Sequence, residues 1–187
     1  MRLLFATHNQ NKVNEAKKIL NKIEIISLKD LNDTDDVDEV GKTFKENAFL
    51  KAKYYYDKYK IPTFSDDSGL CCIGLDLFPG VNSKRIKNND EENIKEIWKM
   101  IDGKDRSAYF EASICFIIDD QEYFFKGILE GEIILEKKGT GGFGYDPIFY
   151  LKEYKKTLAE LGDLKNKISH RSRALSLMAS FLEDYWW

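Results

Sequence analysis

Histidine and cysteine are scarce: the 187 residues include two His and three Cys, with no CxxC pair and no Cys/His ligand spacing. That argues against a zinc site. Cys71 and Cys72 are adjacent and the total is odd, so no disulfide framework is expected and the compartment reads as reducing. An excess of positive charge is also missing. Lys+Arg of 29 against Asp+Glu of 32 leaves a net charge of -3, so no global field exists to hold a nucleic-acid backbone, and no nucleic-acid partner is expected. No apolar run approaches membrane-spanning length, and the stretch in MRLLFATHNQNK is too short for a signal segment. The expectation is a soluble cytoplasmic protein with no membrane partner. Repeats, low-complexity tracts and interdomain linkers are absent too. With 43% hydrophobic residues the chain can bury a real core, and residues 1–187 read as a single domain.

What is present alternates between helical and strand patterns. RLLFA at 2–6 predicts a buried strand, THNQNK a loop, and 13–20 an amphipathic helix. IEIISL at 23–28 predicts a second strand, followed by the acidic stretch 30–41, which carries too many like charges to pack and reads as a solvated loop. Thr43 and Glu46 match a capping box that opens a helix to about Tyr59. After Pro62 come a short strand TFS, a polar turn DDSG and the apolar LCCIGL, then the PGVNSKR loop and a helix near 90–101. AYFEASICFIID and EYFFKGILEGEIIL, separated by Asp119, Asp120 and Gln121, predict a long antiparallel hairpin. A glycine-rich GTGGFGYDP loop, a short helix near 157–161 and a last helix from about Ser169 to Tyr185 complete the chain. The fold class is α/β, helices around a mixed sheet with long antiparallel strands.

Five places can carry chemistry. Asp66 and Asp67 are adjacent carboxylates after a strand. On extended backbone neighbouring side chains alternate direction, so one can serve a metal or water while the other fixes the turn. Glu39, at the end of the acidic stretch, is a second hard-oxygen candidate. Mg²⁺ needs only one or two carboxylates besides water and phosphate oxygens, so Glu39 and Asp67 would suffice. Residues 7–12 (Thr7, His8, Asn9, Gln10, Asn11, Lys12) precede a helix whose N-terminal amides, with Thr7, Asn9 and the Lys12 charge, form an anion pocket; GxxxxGK[ST] is absent, so it is no P-loop. Ser169, His170 and Arg171 put cations at a helix start where acids are usual, which suits an anion or carbonyl ligand. Residues 139–144 match GxGxxG, but Pro147 would interrupt the following helix and Asp163 ends no strand, so a Rossmann site is rejected. Phe143 and Tyr145 in that loop instead suit a planar ligand.

Together these segments resemble the inosine triphosphate pyrophosphatase family, also called Ham1-like. The likeness runs through THNQNK (7–12), EVGKTFKENAFLKA (39–52), SDDSGL (65–70), PGVNSKR (79–85), GTGGFGYDPIF (139–149) and KNKISHRSRAL (165–175). It implies an elongated mixed sheet with flanking helices, two lobes around a central cleft, a homodimer, and Mg²⁺-dependent hydrolysis of ITP, dITP and XTP to the monophosphate and pyrophosphate. By the same resemblance, Thr7, Asn9, Lys12 and Lys51 hold the triphosphate. Glu39 and Asp67 bind Mg²⁺, Asp67 acts as general base and Ser68 contacts substrate. Phe143 stacks on the base, Gly144, Tyr145 and Asp146 lie along that wall, and Lys165, His170 and Arg171 read the purine edge. Asn82 and Lys84 depart from the aromatic and small residue of bacterial relatives. Tyr54, Tyr55, Tyr56, Trp186 and Trp187 are aromatics suited to a dimer surface. A haloacid-dehalogenase phosphatase would need aspartates two apart after the first strand, and a Maf-like pyrophosphatase a Ser-Pro-Arg-Arg type loop. A sensor that binds inosine nucleotides without turnover would have little use for a water-activating Asp67.

Overall fold

The structure is a computed structural model and describes residues 2–186, the Trp186 side chain excepted. Trp187 and that side chain, invoked above for a dimer surface, lie outside the described residues. Seven strands hydrogen-bond in the order β2-β1-β3-β4-β5-β6-β7. They are β1 (Arg2–Phe5), β2 (Glu24–Ser27), β3 (Thr63–Cys72), β4 (Ser107–Ile118), β5 (Gln121–Ile133), β6 (Phe149–Leu151) and β7 (Lys156–Thr157). The helices are α1 (Gln10–Ile19), α2 (Phe44–Tyr59), α3 (Asp90–Ile101), α4 (Lys165–Ile168) and α5 (His170–Trp186). β1 runs parallel to β2 and β3, as strands joined through crossover helices do, while β6 is antiparallel to β5 and β7. Asp119 and Asp120, both at positive φ, form the two-residue turn between β4 and β5, the geometry that matches strand twist in a hairpin. The mixed α/β sheet with flanking helices is therefore as the sequence predicts. Among the described residues no helix is long and apolar enough to cross a membrane.

The chain forms two compact units, Met1–Asp67 with Ala112–Gly127 and His170–Trp187, and Ser68–Glu111 with Ile128–Ser169. In the first, β1 is buried on both faces, which is why RLLFA is a continuous apolar run. Leu3 and Phe5 join a cluster with Val13 and Ala16 of α1 and Leu175 and Met178 of α5, and Phe5 stacks on Phe64 with ring centroids 4.3 Å apart. Leu4 and Ala6 point the other way, towards Tyr55 of α2. β4 divides likewise: Ala112, Ile114 and Phe116 serve the first cluster, Cys115 and Ile117 meet Ala48, Ala52 and Tyr56 of α2. In the second unit Ile94, Ile97 and Ile101 form the buried stripe of α3, packed with Leu70, Phe110, Leu129 and Phe149.

Two expectations fail. DDSG is not a turn, because β3 continues unbroken from Thr63 to Cys72. Its polar side chains are held by partners from three helices, and tertiary pairing overrides turn propensity. The acidic stretch is not simply solvated, since Asp33 is buried and bonded by Lys58 Nζ at 2.7 Å and by the Tyr59 hydroxyl. Burial works against the Asp33 charge, but those bonds outweigh it and hold the carboxyl at about 2.

Candidate active site

The strand register of β3 sorts its carboxylates. Phe64 and Asp66 share one face, and Asp66 lies between α1 and α5: its Oδ1 accepts from Lys12 Nζ at 2.8 Å, its Oδ2 from Arg171 Nε at 2.9 Å. Arg171 Nη1 also donates to Glu15 Oε2 at 2.6 Å. All three of Lys12, Asp66 and Arg171 are at most 2% exposed. Burial alone would raise the Asp66 carboxyl, but the Lys12 and Arg171 charges, with Lys51, hold it far below the usual range. Burial would lower Arg171, but the Asp66 and Glu15 carboxylates raise it.

Ser65 and Asp67 face α2. Ser65 Oγ donates to the Ala48 carbonyl at 2.5 Å, and Asp67 Oδ2 accepts from Asn47 Nδ2 at 3.0 Å. Lys51, one turn along α2 from Asn47, donates to Glu39 Oε1 at 2.5 Å and to the Asp66 carbonyl at 2.7 Å. Burial raises the Asp67 carboxyl; Lys51 opposes this and the Glu39 charge adds to it. Burial lowers Lys51, yet Asp66, Asp67 and Glu39 together lift it above its ordinary value. Among the described residues no group of three or more His, Cys, Asp or Glu forms a metal cluster. Two carboxylates of which one raises the other's proton affinity are nevertheless a donor set that a hard divalent cation fits, as Mg²⁺ takes one or two protein carboxylates.

The loop before α1 is arranged differently from the expectation. Asn9 caps the helix, its Oδ1 accepting from the Asn11 and Lys12 amides at 3.0 and 3.3 Å, so these amides are already satisfied by the chain. Thr7 Oγ1 accepts from the Asn9 amide at 3.2 Å, and exposed Gln10 reaches along the helix to Asn14. His8 Nε2 lies 2.7 Å from the Asp35 carbonyl, and the Tyr55 hydroxyl donates to the same oxygen, so His8 meets the acidic stretch. His170 is buried at the start of α5.

In the second unit Asp146 gathers the glycine-rich loop. Its Oδ2 accepts from Lys165 Nζ at 2.7 Å and from the Phe143 amide at 3.0 Å. Lys165 Nζ also sits 4.6 Å from the Phe143 ring centroid, occupying one face of that ring. Gly142 has φ +75°, and a Cβ there would lie 2.0 Å from Asp146 Oδ2, so only glycine allows this approach. The Gly144 amide donates to Asp90 Oδ2 at 2.8 Å, and the buried Tyr145 hydroxyl to the Ser83 carbonyl at 2.6 Å. Ser68 is half-buried on β3. Asp146 and Tyr145 are thus engaged in holding the loop.

Sequence reasoning overlooked Asn47, Glu15 and the hub role of Asp66. For Asn47 a signal existed: it falls on the buried face of α2 with Phe44, Ala48 and Ala52, where a polar residue needs a partner.

Fold and side chains define a mixed-sheet α/β protein with paired carboxylates, Glu39 and Asp67, beside the half-buried Lys51, and with Lys12 buried against Asp66. A model of the Ham1 family matches residues 3–181. The chain is 41% identical to a dITP/XTP pyrophosphatase of Aquifex aeolicus (strain VF5), over 98% of both chains. It is 38% identical to a dITP/XTP pyrophosphatase of Porphyromonas gingivalis (strain ATCC BAA-308 / W83), over 97% of both. It is also similar to the solved structure of the Staphylococcus aureus Ham1 protein, with TM-score 0.91 and 37% identity over 99% of this chain and all of that one. The chain belongs to the Ham1 family.

Proposed function

We propose that this chain is a nucleoside triphosphate pyrophosphatase that hydrolyses ITP, dITP and XTP to the monophosphate and pyrophosphate, clearing them from the nucleotide pool. The relatives' names support the reaction. The observation that carries it here is Asp67, a buried carboxylate of raised basicity held by Asn47 beside the Glu39–Lys51 pair. So placed, Asp67 can accept the proton of attacking water. Water so activated adds at the α-phosphorus and the pyrophosphate leaves. Lys51 and Lys12 supply positive charge to the triphosphate, with Thr7 and Asn9 contributing polar contacts. Lys12 can turn towards a phosphate oxygen because Arg171 still holds Asp66 and Lys51 its carbonyl. Glu39 and Asp67 would hold Mg²⁺, which when bound neutralises phosphate charge and lowers the cost of forming hydroxide.

In the second unit Phe143 is assigned to stack on the purine, with Lys165 beside its ring and Asp146 keeping both in place. Lys165 is a donor for an oxygen at C6 of hypoxanthine or xanthine, and we assign His170 to the same task. Adenine carries an amino group there, so a buried donor would face a donor at a cost of about 1–3 kcal/mol, roughly tenfold to a hundredfold. Arg171, next to His170 in the chain and anchored by Asp66 and Glu15, is assigned with it to the purine edge. We further propose a cytoplasmic homodimer; sedimentation as a monomer would remove the dimer.

The deciding measurement is pyrophosphate release from ITP, XTP, GTP and ATP with and without Mg²⁺, alongside Asp67→Asn. Metal-dependent turnover of ITP and XTP, weak turnover of ATP, and loss in the variant are expected. Orthophosphate as the product, or tight ITP binding without turnover, would overturn the assignment.

A further inference from the structure

α2 presents Asn47 and Lys51 on one face, four residues apart, and each bridges the same two segments. Lys51 joins Glu39 Oε1 to the Asp66 carbonyl. Asn47 joins the Gly41 amide, which donates to its Oδ1 at 2.8 Å, to Asp67 Oδ2, which accepts from its Nδ2 at 3.0 Å. One bridge is charged, the other neutral. Asn47 is fully buried, and only one orientation of its carboxamide makes both bonds, since the reverse would set its oxygen against a carboxylate. The approach of Gly41 is equally constrained: a Cβ there would lie 2.6 Å from Asn47 Oδ1.

We propose that Asn47 is a positioning residue that sets the separation and orientation of Glu39 and Asp67 for a divalent cation, with Gly41 as the backbone partner that makes this possible. The inference rests on the assignment of Glu39 and Asp67 as the metal pair. Asn47 acts through Asp67 and Gly41 rather than on the substrate. It fixes the plane of the Asp67 carboxylate at one end and, at the other, the backbone two residues beyond Glu39. A carboxamide of this length does both. Aspartate at the same place would present a carboxylate to Asp67, and alanine would remove both bonds.

Asn47→Ala, Asn47→Asp and Gly41→Ala separate this role from mere packing. Mn²⁺ binding to the nucleotide-free protein, followed by electron paramagnetic resonance, should weaken about tenfold to a hundredfold in Asn47→Ala and Gly41→Ala, the usual loss when the support of a metal ligand is removed. Amide exchange at Gly41 should accelerate in Asn47→Ala. With ITP, kcat should fall while KM changes less than about threefold, because the phosphate and base contacts remain. Folding is followed by circular dichroism; should Asn47→Ala not fold, Gly41→Ala, which keeps every polar group and crowds Asn47 Oδ1 together with Glu46 Cβ, decides the matter when compared with Glu46→Ala. Mn²⁺ affinity within twofold of wild type in either folded variant overturns the proposal, as does absence of Mn²⁺ binding in the wild type. A wild type that binds Mn²⁺ but releases no pyrophosphate from ITP would refute the hydrolase assignment and leave the Mn²⁺ comparison decisive for Asn47.

Discussion

Arg171→Met tests the buried ion network under the site. Arg171 and Asp66 have side chains 3% and 1% exposed, and Glu15, the second acceptor, is 15% exposed. Removing one member of a buried pair leaves an uncompensated charge, which costs about 3–5 kcal/mol. Here Lys12 remains 2.8 Å from Asp66 and Lys51 stays on its carbonyl, so the lower end applies, about 3 kcal/mol. For a chain of this size that lowers Tm by roughly 6–12 °C, read by differential scanning calorimetry and urea titration at pH 7. Arg171→Lys should recover only part of the loss, because one ammonium cannot match a guanidinium fork that serves two carboxylates. The pH dependence is a second check. Asp66 is depressed in the folded state, so its contribution is present above the unfolded carboxylate range near 4 and is lost only as pH falls through the much lower folded value. The gap between wild type and Arg171→Met should therefore be flat from pH 5 to 8 and close only in stronger acid. A Tm change under about 2 °C, or a gap that already closes at pH 6, would refute the reasoning.

Gly142→Ala places a Cβ against Asp146 Oδ2 and should part it from Lys165 and the Phe143 amide. Hydrogen bonds to charged groups contribute about 1.5–3 kcal/mol, so kcat/KM for ITP should drop tenfold or more, and a loss under twofold would contradict this account of the loop. Phe143→Ala should raise KM for ITP by roughly tenfold to a hundredfold with little change in kcat, since base–aromatic stacking contributes about 1–3 kcal/mol; an unchanged KM would remove Phe143 from the base site. Asp33, held at about 2, stabilises the fold above pH 4 and loses that contribution as pH falls towards 2. Removing two of its donors with Lys58→Met and Tyr59→Phe should move the acid-unfolding midpoint, followed by tryptophan fluorescence, to higher pH; an unmoved midpoint would mean the bonds do not matter.

Where local chemistry decided the structure, the sequence was readable. α3 spans 90–101 as its apolar period implies, with Asn89 as the cap accepting from the Glu92 amide. Thr43 caps α2 as predicted, although Glu46 reaches the Lys42 amide rather than the amide of the cap residue. The β4–β5 hairpin was legible from two apolar runs around a two-aspartate turn. The carboxylates of the candidate site were nameable for the same reason: adjacent aspartates are conspicuous anywhere. Which way each points was not. Asp, Ser and Gly favour turns, and only strand pairing and three helices make 65–69 extended. Once the backbone is extended, a single step of the pleat divides the pair. Asp66 goes to the lysine and arginine of α1 and α5 and is locked as an ion; Asp67 goes to the asparagine of α2 and is left more basic. A one-residue slip in β3 would exchange the two environments and, with them, the ion and the base. The chemistry assigned to Asp67 is therefore a property of strand register as much as of residue type, and register is set by contacts distant in the chain.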